Sequence, residues 1–406
     1  MRRTALLNVA IGNCVPENII HHALVLNLHQ PAGNLQSQLA AETPEILRAL
    51  DRIPRTLWGY EDVARVHLSL SGTLLETLRD PEFQGSVYGI VDCGSLLWHF
   101  QNLALFRILG TAYYHPVLPL IPEADREEHL ARWRGIAGHL FWREEFHGFW
   151  PPEMGFTMEL IPLLRRMGYR YVLVDSEHVS AVTPMSWETL RYRPHIARYG
   201  GDEIVVVVRD RELSNAQQSG MDFDWFAAEV EARTRWCGFP PLVVTATDGD
   251  NGGWFRNPDY AANFWGYYRN LLEQARRPDG RIRPVFIEDY LDRHGAYGEV
   301  HVATGAWNTG WHHGHGFVQW TGSERQRSAL ARVAETSRRV HDAQRRAQAG
   351  ALRKGTRDYW LEAAMWRLLR AETSCNFFWG EAWVPHAHQD LDGCLHCLDK
   401  ASRHGA

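Results

Sequence analysis

Two carboxylates lie in stretches whose composition suits chemistry on a sugar. Glu153 follows two prolines in the stretch 148–156, which reads GFWPPEMGF. Each proline fixes its own φ and pushes the preceding residue towards extended backbone, so Glu153 is presented from a stiff segment beside Trp150. Asp248 lies in the stretch 247–254, TDGDNGGW, whose glycines allow a ligand to approach the backbone. Cleavage of a glycosidic bond needs one carboxylic acid and one carboxylate, so these two residues are the candidate pair. The alternative for Glu153 is a solvated side chain in a proline-rich turn.

A third polar group follows the first apolar run of the chain. His29 begins the stretch HQPAG at 29–33. With Gln30 and Asn27 it offers neutral hydrogen-bond donors, which suit sugar hydroxyls. A histidine at the end of a strand is also commonly a structural residue, and that alternative stays open at this point.

The histidines also raise the alternative of a metal site. His29, His115 and Asp175, together with the histidine cluster at 312–315, have the side-chain types that bind zinc. No HxxxH pattern on a predicted helix and no compact ligand pair accompanies them. We therefore predict a site without a metal ion or other cofactor, with metal catalysis as the weaker alternative.

Short apolar runs recur along the first part of the chain, and each ends in a polar residue. The runs cover residues 23–28, 66–70, 171–174, 204–208, 242–246 and 285–287. Near-continuous runs rich in Val and Ile are typical of strands buried on both faces of a parallel sheet. Helical segments such as 161–167 and 225–236 lie between them, so the alternation predicts an α/β barrel. Catalytic groups of such barrels come from the carboxyl ends of the strands, where His29, Asp175 and Asp248 fall. The simpler alternative is that charged residues only terminate the strands.

The character of the chain changes after residue 298. A loop rich in Gly, Trp and His at 304–316 is followed by predicted helices. Thr321 and Glu324 fit a capping box at the start of the first helix, and a second helix is predicted over 358–370. We expect the aromatic segment that follows, 371–380, to return to the mouth of the barrel.

These features predict two domains without an internal repeat or a flexible linker. The first is a catalytic barrel over residues 1–298. The second is a helical domain over residues 299–406 that contributes aromatic loops to the active site.

The composition argues against several classes of protein. The 406 residues include 22% charged side chains with a formal net charge of −5, so no basic surface for nucleic acid or anionic membrane is predicted. The 17 Trp, 14 Tyr and 16 Phe are an informative excess, because aromatic faces stack on sugar rings as well as filling cores.

The cysteines and the N-terminal segment indicate in which cellular compartment the protein is expected. The six cysteines are thinly spread, and Cys394 and Cys397 form one CxxC, which we interpret as reduced structural thiols rather than a metal knuckle. Residues 1–14 lack a convincing cleavage site for a signal peptide, and no stretch approaches the ~18 apolar residues of a membrane span. The prediction is a soluble, cytoplasmic protein whose oligomeric state is open.

Five segments, in order along the chain, resemble the characteristic regions of glycoside hydrolase family 57. They are HQP at 29–31, GTAYYHPVLPL at 110–120, WPPE at 150–153, DGD at 248–250 and the segment 371–380. Each is weak alone, but five in the same order are specific, and the resemblance runs from about residue 22 to residue 392. The family comprises amylases, 4-α-glucanotransferases and branching enzymes that act on α-glucans. The resemblance implies a slightly irregular (β/α)7 pseudo-TIM barrel followed by a C-terminal helical bundle.

The resemblance also implies a mechanism. By position in the motifs, Glu153 is the expected nucleophile and Asp248 the expected acid/base of a retaining double displacement without a metal ion. The expected substrate is an α-linked glucan-type oligo- or polysaccharide, hydrolysed or transferred through a glycosyl-enzyme intermediate. The residues expected to bind it are His29, Gln30, Trp150, Asp250, Trp254, Trp307, Arg107 and Trp379. Retention would place the two carboxyl groups roughly 5–5.5 Å apart.

The sequence departs from the family pattern at four positions. Asn27 stands where many members have a histidine, and Arg107 where a sugar-binding glutamate is usual. Asp250 replaces a glutamate, and Cys375 replaces an aspartate. An arginine removes a hydroxyl acceptor and adds a donor fork suited to anionic groups, so a modified or acidic glycan is a further hypothesis.

Two other functions stay open from the sequence. A metal-dependent carbohydrate deacetylase or esterase would use His29 and Asp175 and would be sensitive to chelators. A catalytically weak glycan-binding protein would bind sugar without turnover.

Overall fold

The computed structural model describes residues 19–307, 309, 316–347 and 355–404. Its strands are β1 (Ile20–Leu28), β2 (Val66–Leu70), β3 (Phe106–Leu109), β4 (Gly148–Phe149), β5 (Tyr171–Asp175), β6 (Val179–Ala181), β7 (His195–Tyr199), β8 (Asp202–Arg209), β9 (Leu242–Asp248), β10 (Ile282–Pro284) and β11 (Val300–Val302). Its helices are α1 (Asn34–Ser37), α2 (Thr43–Leu57), α3 (Gly72–Arg79), α4 (Pro81–Val87), α5 (Cys93–His99), α6 (Glu123–Phe141), α7 (Ile161–Arg166), α8 (Trp187–Tyr192), α9 (Arg211–Ser219), α10 (Phe223–Thr234), α11 (Gly252–Arg256), α12 (Phe264–Arg276), α13 (Ile287–His294), α14 (Val318–Thr321), α15 (Glu324–Arg346), α16 (Arg357–Ala371), α17 (Cys375–Phe378) and α18 (Val384–Arg403). The segment 1–14 and the histidine cluster at 312–315, on which two sequence predictions depend, lie outside the described residues.

Seven parallel strands of the described chain close into a barrel in the order β9, β1, β2, β3, β4, β5, β8. Backbone hydrogen bonds at the strand ends complete the ring. Gly110 N–H donates to Gly148 O at 2.8 Å between β3 and β4, and Asp210 N–H donates to Val244 O at 2.9 Å between β8 and β9. β10 pairs with the first residues of β1, and β7 pairs antiparallel with β8. The predicted fold, a seven-stranded barrel with a helical C-terminal region, is therefore confirmed.

Alternation along the strands separates the barrel interior from the layer beneath the helices. In β1, Ala23 and Val25 join an apolar cluster inside the barrel, whereas Leu24 and Leu26 belong to the larger core shared with the helices. Successive residues of a strand point to opposite faces, so the inward series of each strand continues to its carboxyl end. The last residues of these inward series are Asn27 in β1, Asp175 in β5, Arg209 in β8 and Asp248 in β9. Polar groups therefore collect at one mouth of the barrel, above an apolar plug.

Some of the strand predictions need correction. Residues 285–287 do not form a strand, because β10 ends at Pro284 and α13 begins at Ile287. Periodicity cannot distinguish three apolar residues in a strand from the start of a buried helix. No apolar run predicts β3, which contains Arg107, or β4, which has only two residues. The other five runs are confirmed as strands.

The described chain beyond Val318 is helical, and α15, α16 and α18 share one apolar core. The capping box of α15 is formed by Ser323 and Gln326, each side chain bonding the other's backbone, and not by Thr321 and Glu324. Thr321 is the last residue of α14, whereas an N-cap residue needs extended backbone. The helix predicted over 358–370 is confirmed as α16. Among the described helices, none is both long and apolar enough to cross a membrane.

Candidate active site

The register between β1 and β9 brings predicted polar groups together. Asn27 lies opposite Asp248, and Asn27 Nδ2–H donates to Asp248 Oδ1 at 2.9 Å. In the following loops, Gln30 Nε2–H donates to Asp250 Oδ2 at 2.9 Å, and Asn34 Nδ2–H donates to Gln30 Oε1 at 2.8 Å. Side-chain amides from the first strand and loop thus hold both aspartates of the DGD motif.

Glu153 sits on a strained turn directly after β4. It lies in the short 3-10 turn Pro152–Met154 with φ 57° and ψ 15°, and Met154 has φ 50°. Residues other than glycine rarely adopt this left-handed backbone, and such strain costs about 1–3 kcal/mol per residue. Strained residues persist where surrounding contacts fix them, and they cluster at active sites. Glu153 is 8% exposed, so its position is set by packing and not by solvent.

Two donors from distant parts of the chain hold the Glu153 carboxylate. Ser374 Oγ–H donates to Oε1 at 2.5 Å, and Trp307 Nε1–H donates to Oε2 at 2.8 Å. Trp307 N–H also donates to Glu153 O at 3.0 Å, which fixes the loop against the turn. His115 Nε2 lies 3.7 Å from Oε1, beyond hydrogen-bond distance. The predicted return of the segment 371–380 to the barrel mouth is seen in the Ser374 contact.

Burial controls the ionisation of the three carboxyl groups. It raises the pKa of Glu153 to about 7; the hydrogen bonds from Ser374 and Trp307 lower this pKa, and the charge of Asp248 adds to the rise. Burial also raises the pKa of Asp248, against the hydrogen bond from Asn27. The pKa of Asp250 rises to about 7, first through burial and then through the charge of Asp248. Because the negative charges of ionised carboxylates repel one another, the three groups do not all ionise together at neutral pH. The site favours a mixed state in which some carboxyl groups are protonated and others are ionised.

His29 and His115 form a stacked, neutral pair beside the carboxylates. Their ring centroids lie 4.0 Å apart with 9° between the ring planes. Burial lowers the pKa of His29 to about 3 and that of His115 well below its usual range. His29 Nε2 lies 3.5 Å from Cys375 Sγ, and burial raises the pKa of this thiol to about 12. The pair therefore offers neutral imidazoles next to a protonated thiol, groups that suit sugar hydroxyls.

Glu153 and Asp248 line one cavity of about 630 Å³ at the barrel mouth. Five of the residues predicted to bind substrate also line it, namely His29, Gln30, Asp250, Trp307 and Trp379. Trp379 is 58% exposed and Trp383 is 40% exposed, so two indoles stand at the solvent side of the cavity. Flat apolar rings around convergent amides and carboxyl groups suit a sugar chain.

Two of the predicted tryptophans do not line the cavity, so their assignment is corrected. Trp150 is fully buried, and its ring packs edge-on against Trp307 with centroids 5.6 Å apart. It therefore supports Trp307 from behind. Trp254 lies on α11 and borders a separate groove beside Tyr260. The short helix turns it away from the Asp250 side, which the sequence spacing could not show.

Arg107 lies at the opposite end of the barrel, so its assignment to substrate binding is wrong. It is the second residue of β3, and its guanidinium stacks 3.9 Å from the ring centroid of Phe286. Its Nη1–H donates to Leu103 O at 2.6 Å, before the strand begins. Its position in the strand matches the inward face, but it stands near the amino end, away from Glu153. The hypothesis of an acidic glycan therefore loses its basis.

Asp175 is engaged by two arginines, which removes the carboxylate from the metal alternative. Its Oδ2 accepts from Arg209 Nη1–H at 2.6 Å, and its Oδ1 accepts from Arg211 Nε–H at 2.7 Å. Burial would raise the pKa of Asp175, but the two arginines outweigh it and the net shift is downward. Within the described ranges, no three His, Cys, Asp or Glu side chains are grouped as metal ligands. The histidine cluster at 312–315 lies outside those ranges.

Sequence reasoning does not find three of the residues that complete the site. Ser374 is an ordinary serine in the segment 371–380, and nothing local signals a bond to a carboxylate 221 positions away. Arg209 lines the cavity, and strict alternation along β8 was the signal that could have found it. Trp383 lies just beyond the predicted aromatic segment.

A sequence model of glycosyl hydrolase family 57 matches residues 29–303 of the 406. The chain belongs to this family. The resemblance predicted from five short motifs is therefore confirmed, and the match includes the family 57 motifs that hold Glu153 and Asp248. It ends before Ser374, which the geometry nevertheless brings onto Glu153.

Curated relatives of this family 57 chain include two archaeal enzymes. The α-amylase of Pyrococcus horikoshii is 29% identical over 191 residues, which is 46% of this chain and 27% of the relative. The 4-α-glucanotransferase of Thermococcus kodakarensis is 29% identical over 191 residues, 46% of this chain and 26% of the relative. The chain thus matches about a quarter of the length of these curated relatives.

Solved structures of family 57 share the fold. The branching enzyme of Pyrococcus horikoshii superposes with a TM-score of 0.70 at 16% identity, covering 94% of this chain and 88% of that one. The 4-α-glucanotransferase of Thermococcus litoralis gives a TM-score of 0.62 at 18% identity, covering 95% of this chain and 60% of that one. Both similarities extend over the barrel and the C-terminal helices.

Proposed function

We propose that this chain is a retaining glycoside hydrolase or transglycosylase that acts on α-linked glucan-type oligo- or polysaccharides. The observation that carries the proposal is the placement of Glu153 and Asp248 on one cavity, each held by donors from another element. The activities named for the relatives would not support this proposal alone, because the matched regions cover only about a quarter of those proteins.

Glu153 is the proposed nucleophile. In its ionised form it attacks the anomeric carbon, and the bond from that carbon to the leaving oxygen breaks. The donors Ser374 and Trp307 orient the carboxylate and favour its ionised form. Exposed indoles at the cavity rim would stack on the sugar rings on either side of the bond.

Asp248 is the proposed acid/base. In its protonated form it gives its proton to the leaving oxygen, and burial, which raises its pKa, supports that form. In the second step the oxygen of water or of an acceptor hydroxyl attacks the anomeric carbon, the bond from that carbon to Glu153 breaks, and Asp248 takes the proton of the attacking oxygen. Water gives hydrolysis, and an acceptor sugar gives transfer. A retaining mechanism requires the carboxyl groups of Glu153 and Asp248 to lie roughly 5–5.5 Å apart, and we propose that separation here.

We also propose that the enzyme acts in the cytoplasm on a carbohydrate substrate without a metal ion. Each of the five described cysteines is a free thiol, which fits a reducing compartment.

Product analysis on maltooligosaccharides tests the assignment. The wild type is compared with Glu153→Gln, Asp248→Asn and the exposed control Glu159→Gln, with and without a chelator. We expect the first two to lose roughly 10³-fold or more in turnover and the control to behave as wild type. NMR of the first product formed from an α-linked substrate should show the α-anomer. A β-anomer would overturn retention, and activity lost to the chelator would return the chemistry to a metal. Sugar binding without turnover by the wild type would favour the glycan-binding alternative.

A further inference from the structure

Several tryptophans lie neither in the core nor at the catalytic cavity. Eight described tryptophans are well exposed. Two of them, Trp379 and Trp383, stand at the rim of the catalytic cavity. Two others, Trp58 and Trp98, are 72% and 65% exposed and border a second cavity of about 440 Å³.

The second cavity lies at the opposite end of the barrel from Glu153. Trp58 directly follows α2, and Trp98 is in the last turn of α5. Leu105, which also lines the cavity, directly precedes β3. Segments that follow helices and precede strands lie at the amino ends of the strands, whereas catalytic loops lie at the carboxyl ends. The cavity is therefore separate from the active site.

His99 lies between the two indoles. Its ring contacts Trp98 edge-to-face with centroids 5.0 Å apart, and it contacts Trp58 in the same manner at 6.1 Å. These contacts fix two exposed apolar faces around a polar ring. An indole held in place loses little further freedom when a ligand stacks on it.

The polar residues of the rim are also held in place. Asn102 Oδ1 accepts from Ala104 N–H at 3.0 Å, and Gln101 Nε2–H donates to Leu140 O at 2.9 Å. A side-chain amide has more than one hydrogen-bonding site, so each retains capacity for a ligand. The described lining contains one carboxylate, Glu61, and no lysine or arginine, which disfavours an anionic ligand.

We propose that this cavity is a second, non-catalytic binding site for a neutral glucan chain. The identity of the glycan rests on the proposed function. Both cavities combine exposed indoles with side-chain amides, so they share the chemistry that recognises a sugar ring. A volume of about 440 Å³ falls within the range of sites for small ligands, about 300–1,000 Å³.

The position of the second site has a consequence for substrates of different length. A polysaccharide long enough to reach both ends of the barrel gains a second attachment, which raises its effective concentration near the active site. A short maltooligosaccharide fills the active site alone. Loss of the second site should therefore raise the apparent KM for polysaccharide and leave the kinetics on maltotetraose unchanged.

The test uses the full chain carrying Glu153→Gln, so that bound glucan is not consumed. Affinity gel electrophoresis with glycogen or soluble starch compares this protein with one that also carries Trp58→Ala and Trp98→Ala. Its matched control carries Trp236→Ala, which removes a 74% exposed indole that borders neither cavity. We expect the double replacement to weaken retardation by glucan roughly tenfold, as the loss of two aromatic stacking contacts predicts, and the control to migrate unchanged.

Several results would overturn the proposal. One is retardation of the double variant by glucan that equals that of its parent, and another is a Trp236→Ala control whose retardation falls as much as that of the double variant. A third is a loss of maltotetraose turnover when Trp58→Ala and Trp98→Ala are made in an otherwise wild-type chain. A self-associating wild type whose association is lost in the double variant, measured by sedimentation, would assign the indoles to a second copy instead. Failure of the proposed function is distinguished by the maltooligosaccharide assay, in which the wild type would then show no turnover or Glu153→Gln would retain it. An active enzyme that glucan gels do not retard would overturn the second site alone.

Discussion

The ionisation state of Glu153 is set by a balance between burial and two hydrogen bonds. Burial raises its pKa to about 7, and the donors Ser374 and Trp307 act in the opposite direction. A nucleophile must be ionised to attack, so the reaction should fail on the acid side of this pKa. The pH at which activity falls on the acid side should therefore report the pKa of Glu153.

The replacement Ser374→Ala should move that acid limb to higher pH. It removes a hydrogen bond that favours the ionised form of Glu153, so the pKa rises and less nucleophile is charged at pH 6. We expect kcat/KM at pH 6 to fall about tenfold, in line with the loss of a hydrogen bond to a charged group. The measurement is kcat/KM from pH 5 to pH 9, with Ser402→Ala on the exposed end of α18 as the control. An acid limb that does not move would show that Ser374 does not tune the nucleophile.

The replacement Asn27→Ala should move the alkaline limb instead. Asn27 Nδ2–H donates to Asp248 and favours its ionised form, so its loss raises the pKa of Asp248 further. Because the acid must carry a proton at the start of the reaction, a higher pKa extends activity to more alkaline pH. The same pH series measures it. A shift confined to the acid limb would contradict the roles given to Asp248 and Glu153.

At the scale of elements, the catalytic turn depends on the shortest strand of the barrel. β4 has two residues, and a Cβ atom on Gly148 would lie 2.2 Å from the ring of Tyr171. Such contact can be relieved only by moving the strand or the buried ring. The strand leads directly into the turn that carries Glu153, so any displacement reaches the nucleophile.

The replacement Gly148→Ala should therefore lower both stability and activity. Overpacking of a filled core costs typically about 1–3 kcal/mol, and movement of the turn should reduce kcat at permissive temperature. The control is Gly135→Ala in α6, where a Cβ meets nothing within 4 Å. There we expect a stabilisation of about 0.5–1 kcal/mol, because alanine favours a helix interior over glycine. Thermal unfolding midpoints measure both variants, and a Gly148→Ala protein as stable as wild type would contradict the packing argument.

The elements also show which parts of the molecule could be predicted from the sequence. Apolar runs predicted β1, β2, β5, β8 and β9 because those strands have at least five residues, most of them buried. β4 gave no such signal because it is two residues long. Motif positions predicted Glu153 and Asp248, yet the same family resemblance assigned Arg107 to substrate binding, whereas Arg107 lies at the opposite end of the barrel from the site. Position along a strand, and contacts such as Ser374 to Glu153, depend on the closed barrel and not on local sequence.

At the scale of the whole molecule, a buried polar cluster joins the helical region to the barrel. Asp125 in α6 accepts from His341 in α15 at 2.6 Å. Glu372, directly after α16, is fully buried and accepts from His129 Nε2–H at 2.9 Å. Burial, and then the charge of the neighbouring Asp125, raises the pKa of Glu372 well above its usual range, so the protonated form of Glu372 is favoured. Glu372 lies two residues before Ser374, so the cluster helps to position the Ser374 hydroxyl that donates to Glu153.

The pair of His341 and Asp125 makes the stability of the molecule depend on pH. The hydrogen bond to Asp125 raises the pKa of His341 above its ordinary 6.5. A group whose pKa is raised on folding stabilises fully below its unfolded pKa, and that stabilisation is lost as pH rises through the folded value. We expect His341→Gln to lower the thermal unfolding midpoint at pH 5.5, by an amount equivalent to about 1–3 kcal/mol, and to lower it much less at pH 9. Because the hydrogen bond from His341 also lowers the pKa of Asp125, the difference between the two proteins reports on the pair of His341 and Asp125. A deficit that is the same at both pH values would show that His341 acts by packing and not by charge.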